Sequence, residues 1–214
     1  MRSLFALLLT LDLYGLSIID KPIIFDEQRL ALTQEYLQKH YGLNPHATKI
    51  TPRIIVIHWT ASDDFDASMQ RFVRPTLSCD RTDISKASNL NVSAHFMVDR
   101  DGKIYRLMDE TTMARHVIGL NHCAIGIENV GGEGNANNLT PSQLQANLEL
   151  IRYLENKYAS IDYLIGHYEY TDFVKHPLWL EKDNTYRTIK HDPSPSFMQE
   201  LRLYFPRLKT GPKL

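Results

Sequence analysis

The amino-acid sequence predicts one α/β domain with a mixed central β-sheet and helices on both faces. Three observations carry that expectation. Residues 53–58, RIIVIH, are a nearly continuous apolar run, as in a strand covered on both sides. The segment SAHFMVDRDGKIYRLM places Arg100-Asp101-Gly102 between two apolar stretches, a hairpin signal that makes part of the sheet antiparallel. Segments with helical spacing of apolar residues lie between and around the strands. At 214 residues, 43% hydrophobic and 23% charged, the chain suits one sizeable core and is too short for two comfortable domains.

The elements follow in order. Arg2, a short apolar run over 4–11 and the small residues of Gly15-Leu16-Ser17 predict a removable export leader over 1–17, leaving 18–214 as a single domain. The run is too short for a bilayer span, which needs about 20 apolar residues. A leader places the protein in the periplasm or outside the cell; the alternative is a buried N-terminal helix of a cytoplasmic protein. Residues 26–40 form a surface helix, with Asp26 as N-cap, Leu30, Leu32, Tyr36 and Leu37 as apolar positions, and Gly42 after its end. The first strand covers 53–58. Asp63, Asp64 and Asp66 read as a solvated loop. Residues 74–92, rich in Ser, Asp and Asn, form a long loop, and such loops are usually functional. The hairpin strands run to Asp99 and over Lys103–Met108. CAIGIENVGG (123–132) is a strand ending in a glycine-rich turn; GGEGN lacks the GK[ST] ending of a phosphate loop. Thr140, Pro141 and Gln143 start a capped helix with Leu144, Leu148, Ile151 and Leu154 on one face, ending near Tyr158. DYLIGH (162–167) is a short strand, and a last helix follows Pro195 with Phe197, Leu201 and Phe205 inward.

Bulk properties exclude some functions. The formal net charge is −1 and no basic stripe occurs, so nucleic acid is not an expected partner. No integral membrane span is expected, and the chain is expected to act as a monomer. Cys79 and Cys123 form no CxxC pair, which excludes a zinc–thiolate knuckle and leaves both a disulfide after export and two free thiols open.

Two of the nine histidines, His58 and His167, come directly after apolar strands. A lone histidine there is commonly a hydrogen-bonded core residue. Two at strand ends open onto one rim of a sheet, where pockets form. Asp192, in an Asp-Pro step followed by Pro195 that pins the backbone, is a third candidate. Two imidazoles and one carboxylate give zinc three protein ligands and leave a corner for water, the pattern of catalytic rather than structural sites. Such a site lowers the pKa of water to about 7. Glu128 sits in the apolar strand IGIENV, where an unpaired acid is costly, and is the candidate general base; an ion pair with arginine is the alternative. Lys190, two residues before Asp192 on an extended segment, faces the same side and can stabilise an oxyanion.

Several segments together resemble the type 2 N-acetylmuramoyl-L-alanine amidases, the zinc superfamily of bacterial cell-wall amidases, phage lysozyme-type amidases and animal peptidoglycan recognition proteins. IVIHWTAS, VSAHFMVDRDGKIYRLM, ARHVIGLNHCAIGIENVGG, LTPSQLQANLELIRYL, IGHYEY and KHDPSPSF occur in the family's order and cover about residues 53–200. The resemblance implies that family's fold and hydrolysis of the amide between N-acetylmuramic acid and L-alanine in peptidoglycan or muropeptides. It implies Zn2+ on His58, His167 and Asp192, a catalytic acid at Glu128, a lysine near the reacting carbonyl at Lys190, and His116 and His95 near the substrate or behind the ligands, with Trp59 on the substrate side. Two departures stand out: Ser194 where the family often has glycine, and Ala94 where some phage members carry tyrosine. A non-catalytic peptidoglycan-binding module and a zinc peptidase acting on the stem peptide are the rival expectations.

Overall fold

The computed structural model describes residues 15–212; the leader read at 1–17 lies outside them except for its last three residues. Six strands form one sheet in the order β1-β4-β3-β5-β2-β6. They are β1 (Ile18–Asp20), β2 (Ile54–Trp59), β3 (Phe96–Val98), β4 (Ile104–Arg106), β5 (Ala124–Asn129) and β6 (Tyr163–Gly166). Only the β3–β4 hairpin is antiparallel; β3, β5, β2 and β6 run parallel, with β1 parallel to β4 at the edge. The mixed sheet of the sequence reading is therefore present, with one edge strand, β1, that three residues of polar-flanked sequence did not announce.

Both faces are covered. Helix α3 (Pro141–Lys157) and helix α4 (Pro195–Arg202) bury Ile151, Leu154, Phe197 and Leu201 against Ile55, Ile57, Ile125 and Ile127. On the other face, α1 (Glu27–Tyr36) and the wider turn that continues it over Leu37–Tyr41 cover Ile54, Val56, Ala124 and Ile165. The four aliphatic residues of β2 are fully buried, each contributing about 1.5–3 kcal/mol. The capping box at Thr140 and Gln143 is formed, which fixes where α3 begins.

Two local readings change. Asp63, Asp64 and Asp66 do not form a mere solvated loop. Asp64 caps α2 (Phe65–Val73), accepting from Ala67 N at 2.8 Å, and Asp66 lies in its first turn, where acids complement the helix dipole. Helix α1 buries a polar face of Arg29, Thr33, Tyr36 and, beyond it, His40, while Leu30 and Leu32 stay half-exposed. The Arg29 guanidinium explains this, donating to the carbonyls of Ile24 at 2.6 Å and Phe72 at 2.8 Å. His40 shares a hydrogen with Glu181 at 2.9 Å. Cys79 is exposed and Cys123 buried, and both are free thiols.

Candidate metal centre and cleft

Side-chain alternation builds the site. Ile54 and Val56 face the α1 side of β2, so His58 projects to that side as well. In β5 the same parity carries Ala124, Gly126 and Glu128, and the register sets His58 beside Glu128. In β6 it carries Tyr163 and Ile165, and His167 follows directly after the strand. Three adjacent parallel strands thus deliver His58, Glu128 and His167 to one rim at their carboxyl ends. Asp192 arrives from the segment before α4, which Tyr168 N anchors by donating to Asp192 O at 3.0 Å. Ser194 caps α4, its Oγ accepting from Phe197 N at 3.3 Å and donating to Asn137 Oδ1 at 2.6 Å. The serine at this position is therefore a helix cap immediately behind Asp192.

His58, His167 and Asp192 converge. His58 Nδ1 lies 3.0 Å from His167 Nδ1 and 3.2 Å from Asp192 Oδ2, and His167 Nδ1 lies 3.0 Å from the same oxygen. A chain of hydrogen bonds decides which of these atoms carry protons. His116 Nε2 donates to Ala124 O at 3.2 Å, which makes His116 Nδ1 an acceptor. His58 Nε2, 3.0 Å away, must then be the donor, and His58 Nδ1 presents a bare lone pair to the site. Burial pushes Asp192 up, yet the His167 and His58 rings beside it prevail and hold it well below the usual carboxylate range. Burial also pushes His167 down to about 4, so that ring is neutral. Two imidazoles and a carboxylate crowding one point is an arrangement that a cation relieves, and the donor set suits zinc. Among the described residues these three are the group of His, Cys, Asp or Glu that could hold a metal ion, their ligand atoms all within 4.8 Å of one another.

Around the triad is a cleft of about 270 Å³ lined by Trp59, Glu128 and Lys190 among others. Glu128 is 8% exposed, its Oε2 has no hydrogen-bond partner among the described residues, and burial pushes its pKa up to about 7. Among the described residues no arginine forms an ion pair with it, as the structural alternative requires. Burial lowers Lys190 below its ordinary value, and no carboxylate forms an ion pair with it among the described residues. His95 stands apart: it is fully buried, accepts from Gly126 N at 3.0 Å and reaches Thr112 O at 3.0 Å, so both nitrogens are engaged inside the sheet. His116 lines the cleft, but its nitrogens are engaged by His58 and Ala124. No spacing in the sequence exposes that relay. Nor does it mark Tyr36, Arg115 and Asn121, which also line the cleft.

A mixed α/β domain with a histidine–histidine–carboxylate cluster at the carboxyl rim of its parallel strands is thus the class that fold and site define. The chain belongs to the N-acetylmuramoyl-L-alanine amidase family, whose model matches residues 46–195. It is 34% identical over 82 residues to an endolysin of Klebsiella phage KP32, covering 36% of this chain and 54% of that one. To the endolysin of Escherichia phage T7 it is 37% identical over 73 residues, covering 32% and 48%. The matched region spans about half the length of these relatives. Among solved structures, the N-acetylmuramoyl-L-alanine amidase LysC from Clostridium intestinale URNW superposes with a TM-score of 0.53 at 22% identity, covering 90% of this chain and 99% of that one. That likeness establishes the shared fold. Among the described residues, no helix is long and apolar enough to cross a membrane.

Proposed function

We propose that the protein is a zinc-dependent amidase that cleaves the bond between the lactyl carbonyl of N-acetylmuramic acid and the nitrogen of L-alanine in peptidoglycan or muropeptides. The observation that carries this reading is the convergence of His58, His167 and Asp192 beside an unpartnered buried acid. Those three residues would hold zinc, which when bound acidifies water and polarises a carbonyl. The chain's own groups do the rest. Glu128, poised near neutrality, accepts a proton from the attacking water and returns it to the alanine nitrogen as the C–N bond breaks. Lys190 donates to the carbonyl oxygen as negative charge develops there. His116 fixes the His58 tautomer so that Nδ1 faces the ion. Trp59 walls the substrate side.

Metal analysis of the purified protein, paired with mass spectrometry of peptidoglycan digests, tests the reading. One zinc per chain and released peptides that begin with L-alanine are expected. A cut within the stem peptide would make the protein a peptidase. Binding without cleavage by zinc-loaded protein would make it a recognition module.

A second prediction concerns Gly126, over which the His116 ring lies. A Cβ at 126 would sit 2.7 Å from His116 Nδ1 and 2.8 Å from Cγ. The ring packs directly on residue 126, so Gly126→Ala must displace it from His58. Zinc affinity should fall by about 10- to 100-fold, as when a group orienting a ligand is lost. Equal affinity in a chelator competition would show that the relay does not matter.

A further inference from the structure

The end of β2 that carries His58 is held from the face of the sheet opposite the cleft. Pairing of β2 with β6 stops at Ile57 and Gly166, whereas pairing with β5 continues to Trp59 and Asn129, so only β5 flanks His58 in register. Asn129 alternates with Glu128 in β5 and therefore faces α3, on the same side as Ile125 and Ile127. Its Nδ2 donates to the His58 carbonyl at 3.0 Å. Asn147 of α3 sets that orientation, its Nδ2 donating to Asn129 Oδ1 at 2.7 Å and to Gln143 O at 2.7 Å. With Oδ1 taken as an acceptor, the Asn129 amide turns its nitrogen to His58. Gln143 ties the start of the helix to the sheet, donating through Nε2 to Val98 O at 3.2 Å and Val130 O at 2.8 Å, while its Oε1 accepts from Thr140 N at 2.9 Å. A line of hydrogen bonds thus runs from the capped end of α3 to the peptide of a residue in the metal cluster.

Packing alone does not call for these side chains. Asn129, Gln143 and Asn147 are fully buried on the face where α3 and α4 otherwise meet the sheet with isoleucine, leucine and phenylalanine. A buried amide costs stability unless its hydrogen bonds are met, and Asn147 Oδ1 has no partner among the described residues. Aliphatic side chains of similar shape would avoid that cost, but they could not hold a carbonyl. We propose that Asn129, oriented by Asn147, is a positioning residue that fixes the His58 peptide and so the direction in which the imidazole enters the metal cluster. The proposal rests on the metal centre of the amidase reading, not on which bond that centre cleaves. From the cleft side His116 engages the His58 ring at 3.0 Å; from the opposite face Asn129 holds the His58 backbone, so ring and peptide are fixed by separate groups.

The test is zinc affinity, read by chelator competition on the full chain in a double-mutant cycle, with thermal unfolding followed alongside. Leucine matches the branching of asparagine and removes its polar atoms. Asn129→Leu should weaken zinc binding by about 10- to 100-fold, as when the support behind a ligand is lost. Asn147→Leu leaves Asn129 in place but frees its amide to turn, and should weaken zinc binding by about threefold to tenfold. In the double variant the second leucine should add less than about twofold, because Asn147 acts through Asn129. Its melting temperature should stay near that of the wild type, since both partners of a buried hydrogen bond are replaced together. Ile151→Val, one turn further along α3, thins the same packed face without touching the amides; it should lower the melting temperature and leave zinc affinity within about twofold. Wild-type affinity in both single variants, an equal loss in Ile151→Val, or fully additive losses in the double variant would overturn the proposal. Should Asn129→Leu fail to fold, Asn147→Leu decides alone. Wild-type protein that holds zinc yet releases no L-alanine peptides would sink the amidase and leave these affinities standing, whereas wild-type protein that takes no zinc would overturn both.

Discussion

Glu128→Gln is expected to lower turnover by about two to four decades while zinc stays bound, the range that a general base contributes. The substitution keeps the shape of the side chain and removes its ability to accept a proton. Glu128 is not one of the three converging groups, so metal content should match the wild type. Burial favours its neutral form and pushes it up to about 7, whereas a cation at the triad favours the ionised form. The carboxylate therefore stands where it can both take and return a proton near neutral pH. Stability gives an independent check. An acid with Oε2 unpartnered in a strand where it is 8% exposed is a cost to the fold, so a neutral amide should leave the melting temperature unchanged or raise it. Wild-type turnover in this variant would remove Glu128 from the reaction. Lost zinc would instead mean that Glu128 organises the metal centre.

Much of this architecture is legible from periodicity. The continuous run of β2, the hairpin at Arg100–Gly102 and the capping box at Thr140 each carry a local signal, and each element forms where that signal lies. The convergence of His58 and His167 is legible for the same reason: strands that stop on a histidine deliver it to a rim. What stayed hidden is what depends on partners far away in the chain. Of the apolar positions read over 26–40, Tyr36 and Leu37 are buried, whereas Leu30 and Leu32 are only half-buried, because Arg29 takes an inward place held by carbonyls 43 and 45 residues away at Phe72 and Arg74. The relay from Ala124 through His116 to His58 requires three segments to meet before any tautomer is defined. Helix α2 is a different kind of miss. An N-cap Asp64 followed by Asp66 was a readable helix start, and the acids masked it by resembling a solvated loop.

Asp192→Asn should abolish zinc retention in the presence of a competing chelator and bring hydrolysis to background. The side chain keeps its size, and Tyr168 N still donates to the backbone oxygen of residue 192, so the segment is not released. What disappears is the only negative charge in the cluster. Two neutral imidazoles and a neutral amide offer a divalent cation far less than two imidazoles and a carboxylate. Disturbing a group that merely orients a ligand costs about 10- to 100-fold in affinity, so losing the anionic ligand should exceed the upper end of that range. Ser194→Ala is the control on the same segment. It removes the cap of α4, which costs about 1 kcal/mol of stability, and should leave zinc content intact. A protein that keeps zinc through dialysis with Asn at 192, or loses it equally in both variants, would show that the carboxylate's charge is not what holds the ion, and the site would have to be sought elsewhere in the cleft.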